Sequence, residues 1–472
     1  MKTYQDLQAI GQYQSAHMAF IETAIQEHKT SAMYRIAIDA EEYDRQRNVT
    51  IMSYQKLLYT ISGKAVPDNY TANHKVASNF FHRFVTQENQ YLLGNGVTMD
   101  KPEEKAKLGS DIDIRLQEAG RNALVQGVAF GFWNNDHLEV FKFTEFVPLY
   151  DEENAALMAG IRFWQVDRDK PLQATLYELD GYTDYIRRKN RSMEVLHEKR
   201  PYKQIVRQSN ADGVEILDGE NYPGFPIVPL WGNEHRQSEL VGLRQSIDCY
   251  DLIKSGFAND LDDASMIYWT LNNAGGMDDI DLAKFVERMK TVKAAVIDGD
   301  NGTTAEAHTI EVPYMSRVAY LEKLENDMYN DFQALNVAQL SAAQKTATEI
   351  RAAYQPLDNK VDQFEYCILD FLQGIFVLAG IEGTPTFQRS RIANQLEETQ
   401  MVLMAAQYLD DETVLKHLPW LTPEEVDEIL KRRDAEDFNR FESFEDDSKI
   451  VTGFLASEQV KEEEDNHGNI DN

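Results

Sequence analysis

The chain has 472 residues, 43% of them hydrophobic, enough for a sizeable core divided among about two to four structural units. Its formal net charge of −32 is the reverse of what a protein needs to grip nucleic acid by neutralising phosphates, which argues against a tight, salt-dependent clamp on DNA. The opening MKTYQDLQAIGQYQ lacks the apolar run of a signal peptide, and no run of about 18 uncharged apolar residues predicts a membrane span.

Residues 1–62 read as helical, with apolar residues at three- and four-residue steps through Met33, Ile36 and Ile38 and again through Met52, Leu57 and Ile61. Gly63 and Pro67 break the pattern. Residues 70–93 resume it, with Val76, Phe80, Phe84 and Tyr91 on one face and Gly94 as the C-terminal cap. A further helix is predicted at 111–127. From 128 to 230 the texture changes to short β-branched and aromatic runs (VAFGFW, LEVFKF, AGIRFWQV, ATLYEL, YTDYIRR, KQIVRQ) separated by turn residues, which predicts a sheet-rich block with hairpins. The basic stretch Arg187–Arg207 lies inside it, and it has two readings: a solvated strand face, the plainer one, or a contact for phosphate.

Helical periodicity returns at Ser238. Leu240, Leu243, Ile247, Tyr250, Phe257, Leu261 and Ala264 form a stripe that continues to about Trp269, a helix of roughly 45 Å. Asp248, Asp251, Asp260, Asp262 and Asp263 are assigned to the opposite, solvated face. Residues 270–312 interrupt the helix with a turn-like NNAGGMDD, a short helix DLAKFVERMKTV, and a strand pair KAAVIDG and HTIEV around DGDNGT. Pro313 starts a second long helix with Val318, Leu321, Leu324, Met328, Phe332 and Leu335 as its stripe. Residues 336–348 are small and polar. A third long helix from about Glu349 to Leu378 carries Tyr354, Leu357, Val361, Phe364, Ile368, Phe371 and Ile375, with a kink expected at Pro356. Helices at 394–409 and 422–441 follow, the second opened by a capping box of Thr422 and Glu425. Residues 434–472 hold 13 acids against 3 bases and predict a disordered acidic tail. Cys249 and Cys367, far apart in helical segments, read as buried reduced thiols.

Enzyme signatures are absent. Gly63-Lys64 lacks the upstream glycine of a phosphate-binding loop, so a nucleotide motor is not indicated, and there is neither a zinc spacing nor a nucleophile elbow. DGDNGT at 298–303 lacks the spaced oxygens and distal Glu of a calcium loop and reads as a turn. Asp260 and Asp263 share a helix face, but no third ligand lies one turn on, so no metal site and no cofactor are predicted.

Three segments, in order and with an insertion between the second and third, resemble the portal family of long-tailed phages of Gram-positive hosts. They are NHKVASNFFHRFVTQENQYLLGNGVTM (73–99), SELVGLRQSIDCYDLIKSGFANDLDDA (238–264, with Ile247, Asp248, Tyr250, Ser255, Asn259 and Asp262 in place) and TATEIRAAYQPLDNKVDQFE (346–365). Ser341-Ala342-Ala343 departs from the Ser-Gly type of loop usual before the third helix. The resemblance spans about residues 30–430 and implies an α+β, mainly helical portal fold. Its parts would be a wing (1–237 plus the helix 349–378), stem helices (238–269 and 313–335), a small α/β clip (270–312), a tunnel loop (336–348), a helical crown (379–433) and the acidic tail.

It further implies a homo-oligomeric ring, twelve-fold in the capsid, through which double-stranded DNA enters and leaves a virion. The implied partners are terminase, a head–tail adaptor, and major capsid and scaffolding proteins, with assembly in the host cytoplasm and no membrane. Asp278, Asp279, Asp281 and Lys284 would meet partners at the clip. Asn336, Gln339, Ser341, Gln344 and Lys345 would face the channel, with one Lys per subunit as a thin basic collar and the aspartate face of the first stem helix keeping DNA centred by repulsion. Another head–tail connector or minor capsid protein, an enzyme with an acidic cleft, and a scaffold acting through its tail are the competing readings.

Overall fold

A computed structural model describes residues 2–433 apart from 12, 60–62, 69–72, 210–212, 265–267, 273–279, 281–303, 309–313, 339–346, 391–401, 419–420, 422–424 and 427. The described chain is a mixed helix and strand protein of two compact units. The first holds residues 1–344 and 350–390; the second holds 345–349 and 391–472.

In the first unit, helices α1 (Tyr4–Ala9), α2 (Gln14–Thr30), α3 (Ala32–Asp44) and α4 (Val49–Ser53) come first. Thr3 and Asp6 make the capping box of α1, and Ser31 caps α3 by accepting from the Tyr34 amide at 3.2 Å. The helical reading of 1–62 runs too far. Leu57–Tyr59 (β1) pairs with Ala65–Pro67 (β2) in a small hairpin, because an apolar residue in helical phase is equally at home in a strand. The next helix, α5 (Phe80–Leu93), is also shorter than predicted and leaves Val76 in the preceding loop. Then come β3 (Val97–Met99), α6 (Pro102–Ala106) and α7 (Ile112–Gln126), which closes on Gly127 at φ +91°.

The β-rich block contains ten strands among the described residues. These are β4 (Val128–Asn134), β5 (His137–Lys142), β6 (Phe146–Tyr150), β7 (Leu157–Trp164), β8 (Leu172–Glu178), β9 (Gly181–Arg187), β10 (Met193–Arg200), β11 (Lys203–Ser209), β12 (Gly213–Glu220) and β13 (Ile227–Trp231). They form an antiparallel meander β10-β9-β8-β7-β6, a three-stranded sheet β13-β4-β5 and a β11–β12 hairpin.

Then come α8 (Leu240–Ala264), β14 (Tyr268–Asn272), β15 (Thr304–His308), α9 (Tyr314–Phe332), α10 (Ala347–Ala379) and β16 (Pro385–Phe387), the last paired with β3. The first long helix therefore ends at Ala264, about 37 Å long, not at Trp269. Trp269 lies in a strand opposite Ala307, a long-range pairing that local periodicity does not reveal. The predicted strand pair of 293–299 with 308–312 lies outside the described residues except for His308, which stands opposite Tyr268 in the ribbon. The third long helix is continuous through Pro356.

The larger core joins α5, α7, β4, the start of α8, the end of α9 and α10. Close backbone approaches fix it. A Cβ on Gly131 of β4 would lie 2.4 Å from the Phe371 ring of α10, and one on Gly374 of α10 would lie 2.8 Å from Val228 of β13. A second core packs Leu7, Phe20, Ile21 and Ile25 on the meander through Leu149, Ile161 and Phe163. Here His28 is fully buried, its Nε2 2.8 Å from the Phe143 carbonyl, and burial lowers its pKa to about 4. Cys249 and Cys367 are unpaired and only partly buried, which corrects the reading of both as buried thiols.

In the second unit, Asp410 caps α11 (Asp411–Lys416) by accepting from the Thr413 amide at 3.0 Å, and Arg433 pairs with Asp411 at 2.8 Å. The capping residue Thr422 and the tail 434–472 lie outside the described residues.

Candidate functional site

The long helices α8, α9 and α10, with the segment 336–348 between the last two, are the candidate site. The start of α8 is tied to the end of α7. Ser238 Oγ donates to the Val125 carbonyl at 2.6 Å and accepts from the Leu240 amide at 3.1 Å, while the Glu239 amide donates to Leu124 at 3.0 Å. Gly127 makes this approach possible. Its φ is left-handed, and a Cβ there would sit 2.9 Å from the Ser238 nitrogen.

Along α8, Leu243, Ile247, Asp251 and Ser255 follow one another at four-residue spacing, and all four are buried. Asp251 is fully enclosed. Its carboxylate accepts from Asn48 Nδ2 at 2.5 Å and from the Ser78 amide at 2.9 Å, and burial raises its pKa. Asp248 accepts from the Tyr43 hydroxyl and from Thr50 Oγ1 at 2.7 Å. Asp248 and Asp251 therefore do not belong to a solvated acidic face. They bind α8 to the N-terminal helices and the loop before α5, because a buried carboxylate persists only where donors meet it.

Further along, Asp260 pairs with Arg317 of α9, Phe257 and Tyr314 approach ring to ring at 5.9 Å, and Asp262 meets His74 Nε2 at 2.5 Å. The side chain of Asp263 lies outside the described residues. Every described aspartate of the predicted face thus has a partner within the subunit.

Burial grades along the α8–α9 pair. Met328, Tyr329, Phe332 and Leu335 are core residues, whereas Leu261, Tyr314, Met315 and Tyr320 remain exposed.

The chain on either side of the segment after α9 touches α5. Gln87 clamps Leu335 reciprocally, accepting from its amide at 2.9 Å and donating to its carbonyl at 3.0 Å. Asn336, half-buried, caps the next turn by accepting from the Ala338 amide at 3.2 Å. Beyond the segment, Tyr354 of α10 stacks on Tyr91 of α5. One turn and a half on, Lys360 lies 3.2 Å from Glu88 and 2.7 Å from Glu239, its Nζ 3.1 Å from the centre of the Phe332 ring. This buried cation ties α5, the start of α8, the end of α9 and α10 at one point. Glu88 is enclosed, and burial, with the like charge of Glu239, pushes its carboxyl up to about 8 against the pull of Lys360.

Gln87, Glu88, Glu239 and Lys360 were not singled out from sequence. Lys360 was seen only within a motif, and its partners stand 121 or more residues away. Gln339, Ser341, Gln344 and Lys345, and at the clip Asp278, Asp279, Asp281 and Lys284, lie outside the described residues. Among the described residues there is no cluster of three metal-ligating side chains, and no helix is long and apolar enough to cross a membrane.

Among solved structures, a chain from the neck of an empty gene transfer agent particle, computed with C6 symmetry, aligns at a TM-score of 0.42 and 9% identity, covering 71% of this chain and 88% of that one. A chain from the native gene transfer agent virion aligns at 0.40 and 11% identity with the same coverage. The portal protein of Clostridium phage phiCD119 is 26% identical over 237 residues, 47% of this chain and 52% of that protein, so this match spans about half of that relative. The portal protein of Bacillus phage SPP1 is 23% identical over 425 residues, 79% of this chain and 78% of that protein. A family model described as phage portal protein, SPP1 Gp6-like, matches residues 35–437, and the chain belongs to that family.

Proposed function

We propose that this portal subunit assembles into a closed ring at one capsid vertex and that double-stranded DNA passes through the ring's centre during packaging and ejection. The observation that carries the reading is the paired α8 and α9, joined by the β14–β15 ribbon and followed by a small polar segment with contacts to α5 on either side of it. A heterologous interface that closes on itself needs an apolar surface on each subunit. The exposed Leu261, Tyr314 and Met315 supply one on the half of the helix pair farthest from the core residues Ile247 and Met328.

In this assignment residues 1–237 and α10 are the wing, α8 and α9 the stem, 270–312 the clip that docks terminase and later a head–tail adaptor, and 379–433 the crown. Residues 336–348 are the tunnel loop. Fixing the loop at Leu335 and Lys360 allows it to reach into a channel while its base stays in register with the wing. Lys345, ringed by symmetry, touches the DNA backbone without arresting it, since a few phosphate contacts add only a shallow barrier to sliding. Because Asp248 and Asp251 are internal, repulsion from the channel wall falls to Asp260, Asp262 and Asp263 at most. Native mass spectrometry of the purified full chain tests the assembly. A single high multiple of the 54.1 kDa subunit is expected, and a monomer at micromolar concentration would refute the reading. In virions, Lys345→Glu should change the packaged DNA length or its retention; unchanged packaging and retention would remove Lys345 from the mechanism.

A further inference from the structure

The antiparallel meander brings the β7–β8 connection (165–171) and the β9–β10 connection (188–192) to the same end of one sheet. Between them lies an open cleft of about 300 Å³. Its lining includes six cations, Arg168, Lys170, Arg187, Arg188, Lys189 and Arg191, and no carboxylate. In a chain with a net charge of −32 this is a marked local reversal. Three of the six are paired with carboxylates that do not line the cleft: Arg187 with Glu22 at 3.6 Å, Arg188 with Glu194 at 2.7 Å and Lys189 with Asp169 at 2.5 Å. Arg168, Lys170 and Arg191 form no ion pair with a described carboxylate. The neighbouring Asp167 does not line the cleft and accepts from the Arg168 amide at 2.6 Å through one oxygen.

We infer that this cleft is a second, sequence-independent contact for the phosphate backbone of double-stranded DNA, on the wing sheet and apart from the stem and tunnel loop. Four of the six cations are arginines, whose planar forks match phosphate oxygens two at a time. An acidic protein segment is the less suitable occupant. Protein interfaces draw their affinity from buried aromatic or aliphatic anchors, and the cleft offers Leu172 alone, itself buried, whereas phosphate contacts need none. The choice of DNA as the polyanion rests on the portal reading; the cleft itself does not.

The test uses the full chain, wild type and R168A/K170A/R191A, with a short fluorescent duplex titrated between about 50 and 200 mM salt. Each lost phosphate contact removes about 0.9 from the slope of log K against log salt, so the variant should lose up to about 2.7 and bind at least about tenfold more weakly. An unchanged slope and affinity, or no binding by the wild type at the lowest salt, overturns the inference. So does displacement of the duplex by a polyglutamate peptide at equal charge concentration, which would make the site a peptide dock. Native mass spectra of the same preparations keep the two readings separate: intact rings with an unchanged slope sink the cleft alone, and monomers with the expected slope change sink the portal assembly alone.

Discussion

Replacing Lys360 with Met removes the cation at the point where α5, α8, α9 and α10 meet while keeping most of its volume. Lys360 is 13% exposed, Glu239 13% and Glu88 1%, so neither carboxylate gains much water when the cation goes. Breaking a buried pair from one side typically costs about 3–5 kcal/mol, because the remaining charge is stranded. Here Glu239 is the charge left stranded, since Glu88, pushed up to about 8, already carries a proton at pH 7. Loss of the ammonium from the face of Phe332, 3.1 Å away, adds about 1 kcal/mol. The expected destabilisation at pH 7 is therefore about 3–4 kcal/mol, read as a lowered urea midpoint with an unchanged m-value. Adding Glu239→Gln to the Lys360→Met chain should recover a substantial part, since it removes the stranded charge. A loss below about 1 kcal/mol, or strict additivity of the two substitutions, would refute the claim that this cation holds the helices together.

Four further outcomes follow from the same geometry. Glu88 keeps its proton in the folded state across a window where the unfolded chain releases it, so its contribution to stability falls as pH rises from about 4.5 to about 8. His28 acts in the opposite sense: folded at about 4 and unfolded at 6.5, it costs stability as pH falls through that window. The two slopes oppose each other between about 4.5 and 6.5, so Glu88→Gln should flatten the pH–stability curve between 6.5 and 8 and leave a loss toward acid below 6.5, whereas His28→Gln should leave stability falling with rising pH from about 4.5, both read by urea denaturation. Asp251→Ala leaves Asn48 and the Ser78 amide without their acceptor and should cost about 2–4 kcal/mol. Gly127→Ala combines a left-handed φ with a 2.9 Å approach to Ser238 and should cost at least about 2 kcal/mol in the same assay.

Much of the fold was legible because its long elements carry strong local patterns. The stripes Leu243–Ile247 and Tyr354–Phe364–Phe371 identify α8 and α10, and the β-branched runs from Val128 announce the sheets. Errors arose where a pattern was compatible with two structures. Leu57 and Trp269 continue a helical phase but sit in ribbons set by partners at Pro67 and Ala307. The misreading of Asp248 and Asp251 is instructive. Asp251 stands four residues after Ile247 and four before Ser255, on the buried stripe itself, so spacing alone pointed inward; the charge suggested otherwise. What sequence does not show is the supply of donors from Asn48, Thr50 and Ser78, some 170–200 residues away. The clamp of Gln87, Glu88 and Lys360 stayed hidden for the same reason.

The portal account rests on helices α8 and α9 packing about a common axis around an open pore. Electron microscopy of the purified full chain, carried to a resolution that traces helices, tests this most directly. It should show closed rings with a central hole lined by that helix pair and with residues 336–348 facing the hole. Discrete monomers, or rings with α8 and α9 on the outer rim, would contradict the account.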